Sequence, residues 1–494
     1  MINDTSPVEK YFNYIKDENH LQILSEKTAY DLNLDLLFFK LDQTFSKIGQ
    51  QYFYSKFRLL ENKSDQYFTK YVDYFAKNDI EKNQVAKQLS KLNQDKDYHL
   101  IDLISEDISV NERYYNYARL ATLALTMIVI SSFFVPKVLV FLIPLFFINF
   151  YYHYNNKAYV QYYKLVISRL SASIKTANNI SKFSQFTEEF NFININKLSK
   201  IIGFSEVEQA LVKNEYLLVI WSAIEFYRIS FNTEIFGFRK KVKILKDSKE
   251  DLLKLVKFIG KIDTAITISE IKLNYKTCEP IFINKKEIKT ENIYHPFIDN
   301  CVKNNLMISD KSLVLTGSNM SGKTTFMRCM TINSLFAQNF NLCFADSFEC
   351  PKMQILTSIS IQDNIEENKS YYLEEVMRIK TFLEKRDTFA LILIDEIFSG
   401  TNTKERIAIS KAVLSALNKD EKNLVVITTH DLEIAQFLEA NNFELYYFDE
   451  DITLNKISFP YILNKGISQK TNAIKILEMY NYSDEIIKNA RELL

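Results

Sequence analysis

The chain has 494 residues and a formal net charge of zero, with 47% apolar residues, 25% charged residues and only 8 glycines, where average usage gives roughly 35. Such values exclude collagen-like repeats, Gly-rich linkers, Gly-punctuated β folds and wholesale disorder, and the length suits roughly three units. The zero is a sum of −3 over residues 1–119, +1 over 120–152, +8 over 153–293 and −6 over 294–494, so a local polyanion site stays open.

Residues 1–118 are rich in Lys, Asn, Leu, Ile and Phe with few Pro or Gly, a texture of long helices. The N-terminus lacks the basic-then-apolar pattern of a signal peptide. From Leu120 to Tyr152 the only charge is Lys137, beside Pro136, and this pair separates two uncharged runs, Leu120–Val135 and Val138–Tyr152. Two helices of about 15–16 residues would each cover roughly 24 Å, short for a bilayer core but workable with interfacial aromatics. Tyr114, Tyr115 and Tyr117 precede the segment and Tyr151, Tyr152 and Tyr154 follow it, while Arg113, Arg119, Lys157 and Lys164 flank its ends. This pattern predicts a transmembrane hairpin over 119–153 with both ends on the cytoplasmic side, in a bacterial inner membrane. The alternative is a helical hairpin buried in a soluble core or a dimer interface.

Residues 154–275 again read as helices. Within them, Arg239–Lys261 sets Val242, Leu245, Leu252, Leu255 and Phe258 among basic residues. That spacing fits the solvated side of one long helix, or a face that meets phosphates or lipid headgroups. The five cysteines, Cys278, Cys301, Cys329, Cys343 and Cys350, are odd in number and form no CxxC pair. They indicate a reducing compartment without disulfides or a zinc site.

After about residue 310 strands and helices alternate. The strand-like Leu313-Val314-Leu315-Thr316 feeds Gly317-Ser318-Asn319-Met320-Ser321-Gly322-Lys323-Thr324, with a helical stretch from Thr325. This is the GxxxxGK[ST] loop in its strand–loop–helix setting: backbone N–H groups wrap a polyphosphate, and the helix N-terminus adds a favourable dipole. Lys323 would bridge β- and γ-phosphates and Thr324 would ligate Mg²⁺. Phe389–Ile394 is a near-continuous apolar run suited to a buried parallel strand, and it ends in Asp395-Glu396. Asp395 would hold the metal through water and Glu396 would polarise the attacking water. A third strand, Leu424–Thr429, ends in His430-Asp431, where His430 would sense the γ-phosphate.

Together these residues resemble the MutS-type DNA mismatch repair ATPases. The family's TGxNMxGK[ST] loop is matched by Thr316–Thr324, and its DE-I-x-x-GT-x-T segment by Asp395-Glu396-Ile397-Phe398-Ser399-Gly400-Thr401-Asn402-Thr403. Its Thr-His pair is similar to Thr429-His430, and Tyr294-His295-Pro296 looks like its Arg-His-Pro. Ile262-Asp263 through Tyr275 and Pro280 resembles the stretch joining lever helices to the ATPase domain. Tyr461, Gly466, Ala473-Ile474 and Ile486–Arg491 resemble its C-terminal dimerisation segment, and Leu34–Gln50 more weakly resembles its core domain.

The resemblance implies an α/β P-loop NTPase domain of ABC/MutS type over 276–494, mostly a parallel sheet flanked by helices, after an all-α core and lever region. It further implies ATP and Mg²⁺, a homodimer through the ATPase domains, and nucleotide contacts by Gly317–Thr325. Asp363-Asn364, Lys369-Ser370 and Glu375 occupy the place of the family's signature loop, which makes Ser370 the candidate contact in trans to the partner's nucleotide. Ser321 stands where the family has glycine, Phe398-Ser399 where it has Gly-Arg, and no aromatic near Cys301–Asn304 is suited to stack adenine. About 30 residues precede the core-like segment, too few for the family's mismatch-recognition domain, and Phe186-Thr187-Glu188 matches its Phe-x-Glu wedge only by chance.

Two functions are therefore expected. One is a membrane-tethered MutS-like ATPase that meets duplex DNA through 239–261. The other is a membrane-associated ATPase driving a membrane or assembly task without DNA. An ABC transporter subunit fits less well, because LSGGQ is absent.

Overall fold

Leu313, Val314 and Leu315 are wholly buried because their strand, Ser312–Thr316, lies inside a six-stranded sheet. The computed structural model describes the chain apart from residues 1–4, 63–64, 203–217, 319, 360–370, 399–401, 454–455, 469–476, 478–479, 481 and 494. The sheet runs in the order Leu463–Lys465, Phe443–Phe448, Ser312–Thr316, Asn423–Thr428, Phe389–Asp395, Met353–Ser358. The last five strands are parallel and Leu463–Lys465 pairs antiparallel at the edge. Helices on both faces explain why its central strands are continuous apolar runs rather than alternating ones.

A second, four-stranded sheet, in the order Ile281–Phe282, Ser347–Cys350, Glu287–Ile293, Asn304–Ser309, was not legible in the sequence. Three of its strands precede residue 310, and Glu287–Ile293 alternates buried Ile288, Thr290 and Ile293 with polar residues too briefly to stand out.

Packing divides the chain into two units that are not serial. The α/β unit combines Glu18–Leu41 and Lys56–Thr69 with Glu270–Leu494; the helical unit is Met1–Asp17, Asp42–Ser55 and Lys70–Ser269. The early segments join the α/β unit because they satisfy its polar groups and complete its core. Gln22 exchanges two hydrogen bonds with the Ile355 backbone, accepting at 2.6 Å and donating at 2.7 Å. Asn339 donates to the Lys56 and Leu59 carbonyls at 2.6 and 2.7 Å. Phe57 packs against Phe336 and Phe340, ring centroids 5.7 Å apart in both cases. Buried Asp31 pairs with Arg378 at 2.5 Å, an ion pair that is costly to break from one side.

In the helical unit, Asn111 caps helix Glu112–Ser132 by accepting from Tyr114 N–H at 3.1 Å. A 3₁₀ turn at Pro136–Phe141 leads into helix Leu142–Ile180. The sequence suggested two helices of similar length. The second instead has 39 residues, because nothing between His153 and Ile180 is Gly or Pro and the helix has no reason to stop at Tyr152. The two helices meet through Tyr114 and Tyr117, whose rings stack on Tyr152 at 5.6 and 4.2 Å. Toward the turn the apolar side chains face outward, and Phe133 and Phe134 are 83% and 85% exposed. Among the described residues nothing covers this end of the segment, whereas Ala121, Asn149 and His153 at its base are buried. By length and hydropathy, Pro136–Ile180 can cross a membrane.

The basic stretch forms two helices, Thr233–Asp247 and Lys249–Asn274, rather than one. At Ser248 the hydroxyl donates to Ile244 O at 2.6 Å and the N–H to Leu245 O at 2.9 Å, diverting the backbone from the helical ladder. Val242, Leu245, Leu252, Leu255 and Phe258 are all buried. Several of the cations between them already face acids or carbonyls: Arg239 pairs with Glu112, Lys246 with Asp107, Lys254 with Glu250 and Lys261 with Glu189, and Lys249 donates to Ile104 O.

Asp263 and Tyr52 explain two of the rare glycines. Wholly buried, it accepts from Phe45 N–H at 2.9 Å, Ser46 N–H at 2.8 Å and Ser46 Oγ at 2.5 Å. Burial pushes its carboxyl up to about 7 against the pull of these donors. A Cβ on Gly49 would lie 2.0 Å from Asp263 Oδ2, and one on Gly260 would lie 2.4 Å from Tyr52 Cβ. Gly49→Ala is accordingly expected to destabilise the chain by about 1–3 kcal/mol through overpacking. A fall in the urea unfolding midpoint at constant slope reads this out, and an unchanged midpoint refutes it.

Candidate functional site

The parallel order of the six-stranded sheet brings the C-terminal ends of Ser312–Thr316, Asn423–Thr428 and Phe389–Asp395 side by side. Ligands of open α/β sheets bind at this edge, and here three separate motifs meet. The loop after Thr316 needs unusual backbone: Gly317 has φ +136°, Met320 φ +73° and Gly322 φ +106°. A Cβ on Gly317 would lie 2.5 Å from the Phe448 carbonyl. Helix Lys323–Phe340 follows directly, two residues earlier than the sequence suggested, with its N-terminal N–H groups at the loop.

Lys323 is buried, and its ammonium donates to the carbonyls of Gly317 at 2.8 Å and Ser318 at 2.9 Å. Burial lowers its pKa, opposed by Glu396, Asp395 and Glu450. Thr324 Oγ1 donates to Asp395 Oδ2 at 2.7 Å, and Thr428 Oγ1 donates to the other oxygen of the same carboxylate. Glu396 follows with φ +51°, its N–H on Thr428 Oγ1 at 3.2 Å. Its Oε1 lies 3.2 Å from His430 Nδ1, and the His430 side chain is 55% exposed. Lys323, Thr324, Asp395, Glu396 and His430, chosen from three motifs over a hundred residues, thus share one site.

A cavity of about 720 Å³ opens over it, lined among others by Met320, Gly322, Lys323, Thr324, Thr325, Asp395 and Glu396. Tyr294, His295, Ile298, Val302 and Tyr461 line its less polar part. His295 is buried, and burial with the nearby Arg328 and Lys40 lowers its pKa to about 4, so it stands neutral. One aromatic ring of the cavity comes from far along the chain. Tyr461, with φ +56°, sets its ring where a Cβ on Gly322 would lie 3.0 Å away. Asn304 holds this strand in place, donating to Tyr461 O at 3.0 Å and accepting from Leu463 N–H at 2.7 Å.

Ser321 Oγ is buried without a hydrogen-bond partner among the described residues, in a loop built to surround an anion. That orphan hydroxyl, the ammonium of Lys323 and the helix N-terminus fit a polyphosphate. No group of three His, Cys, Asp or Glu poised for a metal occurs among the described residues. Thr324 with Asp395 would suit the smaller oxygen set that Mg²⁺ uses when phosphates complete its shell. Asn319, Ser370, Asp363, Asn364, Lys369, Ser399, Gly400, Thr401, Ala473 and Ile474 lie outside the described residues.

Residues 313–494 match the family profile described as MutS domain V. Among curated proteins the chain is similar to the DNA mismatch repair protein MutS of Petrotoga mobilis, 30% identical over 253 residues, covering 49% of this chain and 31% of that protein. It is similar to MutS protein homolog 4 of Mus musculus, 32% identical over 260 residues, covering 49% and 27%. The MutS of Bacillus cytotoxicus is 25% identical over 271 residues, covering 52% and 29%.

Residues 313–494 carry a MutS domain V.

The matches span about half of the chain and about a third of each relative. The MutS domain carries one further buried group beside the site. Glu375 accepts from Phe398 N–H at 2.6 Å, fixing the turn after Glu396, where Phe398 has φ +55°. Its Oε2 has no partner among the described residues, and burial pushes its carboxyl up to about 7. A raised carboxyl pKa means that the fold prefers the protonated form. Its contribution is complete below the ordinary value of 4.5 and is lost as pH rises to about 7. Stability should fall by roughly 3 kcal/mol across that window, at about 1.4 kcal/mol per unit. Glu375→Gln should flatten this part of the stability–pH curve, and an unchanged slope in denaturant titrations refutes the assignment.

Proposed function

We propose that this chain binds ATP with Mg²⁺ in the cavity over the P-loop and hydrolyses it to ADP and phosphate. In this reading it works as a homodimer in a DNA-binding role related to mismatch repair. The apolar hairpin tethers it to the cytoplasmic face of a bacterial inner membrane. The observation that carries the reading is the meeting of Lys323, Thr324, Asp395, Glu396 and His430 at one sheet edge. The names of the relatives, DNA mismatch repair protein MutS among them, support the DNA role. The outward-facing apolar side chains of the hairpin support the tether.

Backbone N–H groups of the loop and of the helix start hold the phosphates. Lys323 turns its ammonium from the Gly317 and Ser318 carbonyls to the β- and γ-phosphates. The Thr324 hydroxyl and Asp395 carboxylate would hold Mg²⁺, which when bound neutralises charge on the transferred phosphoryl group. Glu396 accepts the proton of the attacking water, and His430, 3.2 Å from it, orients that carboxylate toward the γ-phosphate. Tyr461 offers a face on which the adenine stacks. Ser370 is the candidate to complete the site across the dimer.

DNA contact through 239–261 would be dominated by phosphates and would compete with the ion pairs of Arg239, Lys246, Lys254 and Lys261. Glu396→Gln is expected to retain binding of a fluorescent ATP analogue while hydrolysis falls by about 100-fold or more. Turnover at the wild-type rate would remove Glu396 from the mechanism. Duplex DNA binding by the detergent-solubilised chain should weaken at least about tenfold between roughly 50 and 200 mM salt. Absence of binding at the lower salt would overturn the DNA role and leave the ATPase standing.

A further inference from the structure

Helix Leu218–Phe231 carries only two ionisable groups, Glu225 and Arg228, besides Tyr227. Both are compensated within the helical unit. Glu225 accepts from Lys157 at 3.0 Å, faces His153 at 3.1 Å and lies 3.5 Å from Arg228. The helix packs on the base of the apolar hairpin. Phe226 stacks on Phe146 at 5.2 Å, and Asn149, accepting from Tyr117 OH at 2.7 Å, donates to Ser230 O at 3.1 Å. Between hairpin and helix lies a cavity of about 470 Å³ whose lining, including Leu125, Val129, Leu142, Phe146, Phe226 and Phe231, is almost wholly apolar.

Its outer face carries Val219, 79% exposed, with Ile220, Phe226 and Tyr227, each at least half exposed. This apolar surface continues that of the hairpin, and the exposed Arg113 and Arg119 at the hairpin's polar end suit anionic headgroups. The uncharged run between Glu215 and Glu225 has nine residues, which as a helix reach only about 14 Å, too short for a hydrocarbon core of about 30 Å. Trp221 sits beside the Lys157 ammonium, 5.9 Å from its ring centroid, the pairing of aromatic and cation that suits a headgroup layer.

We propose that Leu218–Phe231 is a third membrane-contacting element, lying along the bilayer interface beside the inserted hairpin, and that the apolar cavity between them takes a lipid acyl chain. This rests on the reading that the hairpin inserts. The partner is the lipid itself: an apolar surface with neutralised charges, interfacial Trp and Tyr, and a length that reaches along the interface but not across it.

Trp221 is the chain's single tryptophan and reports directly on this helix. The full chain is reconstituted into vesicles of phosphatidylethanolamine and phosphatidylglycerol, with or without lipid brominated near the headgroup or near the chain end. Flotation at high salt reads insertion of the hairpin, and Trp221 emission reads contact of the helix. The expected result is flotation together with a loss of roughly half of the emission to the shallow bromines and less to the deep ones, as an interfacial tryptophan requires. Ile220→Asp, at an exposed position, should abolish that quenching while flotation persists. Flotation with unquenched emission overturns the helix assignment alone, whereas loss of flotation at high salt overturns the hairpin reading on which it rests. Trp221 emission that responds to protein concentration and not to bromine would show a second copy covering this face, and would equally overturn the proposal.

Discussion

Thr324, Asp395 and Thr428 hold one another at the edge of the parallel sheet, where two hydroxyls donate to the two oxygens of one carboxylate. The loop helix and two neighbouring strands each contribute one residue, so the contact ties the ends of three elements together. It works because the sheet order sets Ser312–Thr316 beside Asn423–Thr428, and that strand beside Phe389–Asp395, all running the same way. With another order, the P-loop, the acidic pair and the histidine would end at different places. Glu396 and His430 take their positions from the residues next to this contact, and Lys323 from the helix that begins there.

Charge at this edge is balanced. Asp395, Glu396 and Glu450 act on Lys323, and its ammonium rests on backbone carbonyls rather than on any one acid. A lysine held that way keeps its charge close to the loop and can exchange carbonyls for phosphate oxygens with little movement. The acids that remain are then available to a divalent cation and to a water. Behind them Glu375 pins the turn through Phe398 N–H, so the left-handed residues Glu396 and Phe398 are fixed from the helix Tyr371–Phe382.

The helical unit solves a different problem. Asp263 gathers three donors around the start of helix Lys47–Arg58, and glycines at 49 and 260 let the surrounding backbone approach. Farther along the same unit, the apolar hairpin and Leu218–Phe231 leave large side chains facing outward around their own cavity. Burial thus governs one part of the unit and exposure of apolar surface the other.

Motifs whose chemistry is local were legible in the sequence. Gly317, Gly322, Lys323 and Thr324 stood out because a phosphate-wrapping backbone would impose those residue types at that spacing. Asp395-Glu396 and His430 stood out because each follows an apolar run that reads as an interior strand. The hairpin's apolar runs were equally plain, although its second helix runs on to Ile180. Tyr461 was not legible as part of the cavity, since it stands more than 130 residues from the loop it covers and is brought there by an edge strand pairing antiparallel. Nor was the contribution of Glu18–Leu41 and Lys56–Thr69 to the α/β unit, which depends on side chains such as Gln22, Asp31 and Phe57 finding partners some three hundred residues away. By itself the sequence determined which motifs stand at the ends of interior strands, because local backbone and periodicity encode them. The tertiary structure decided which distant groups surround them, because burial and hydrogen-bond satisfaction are settled only when the whole chain has packed.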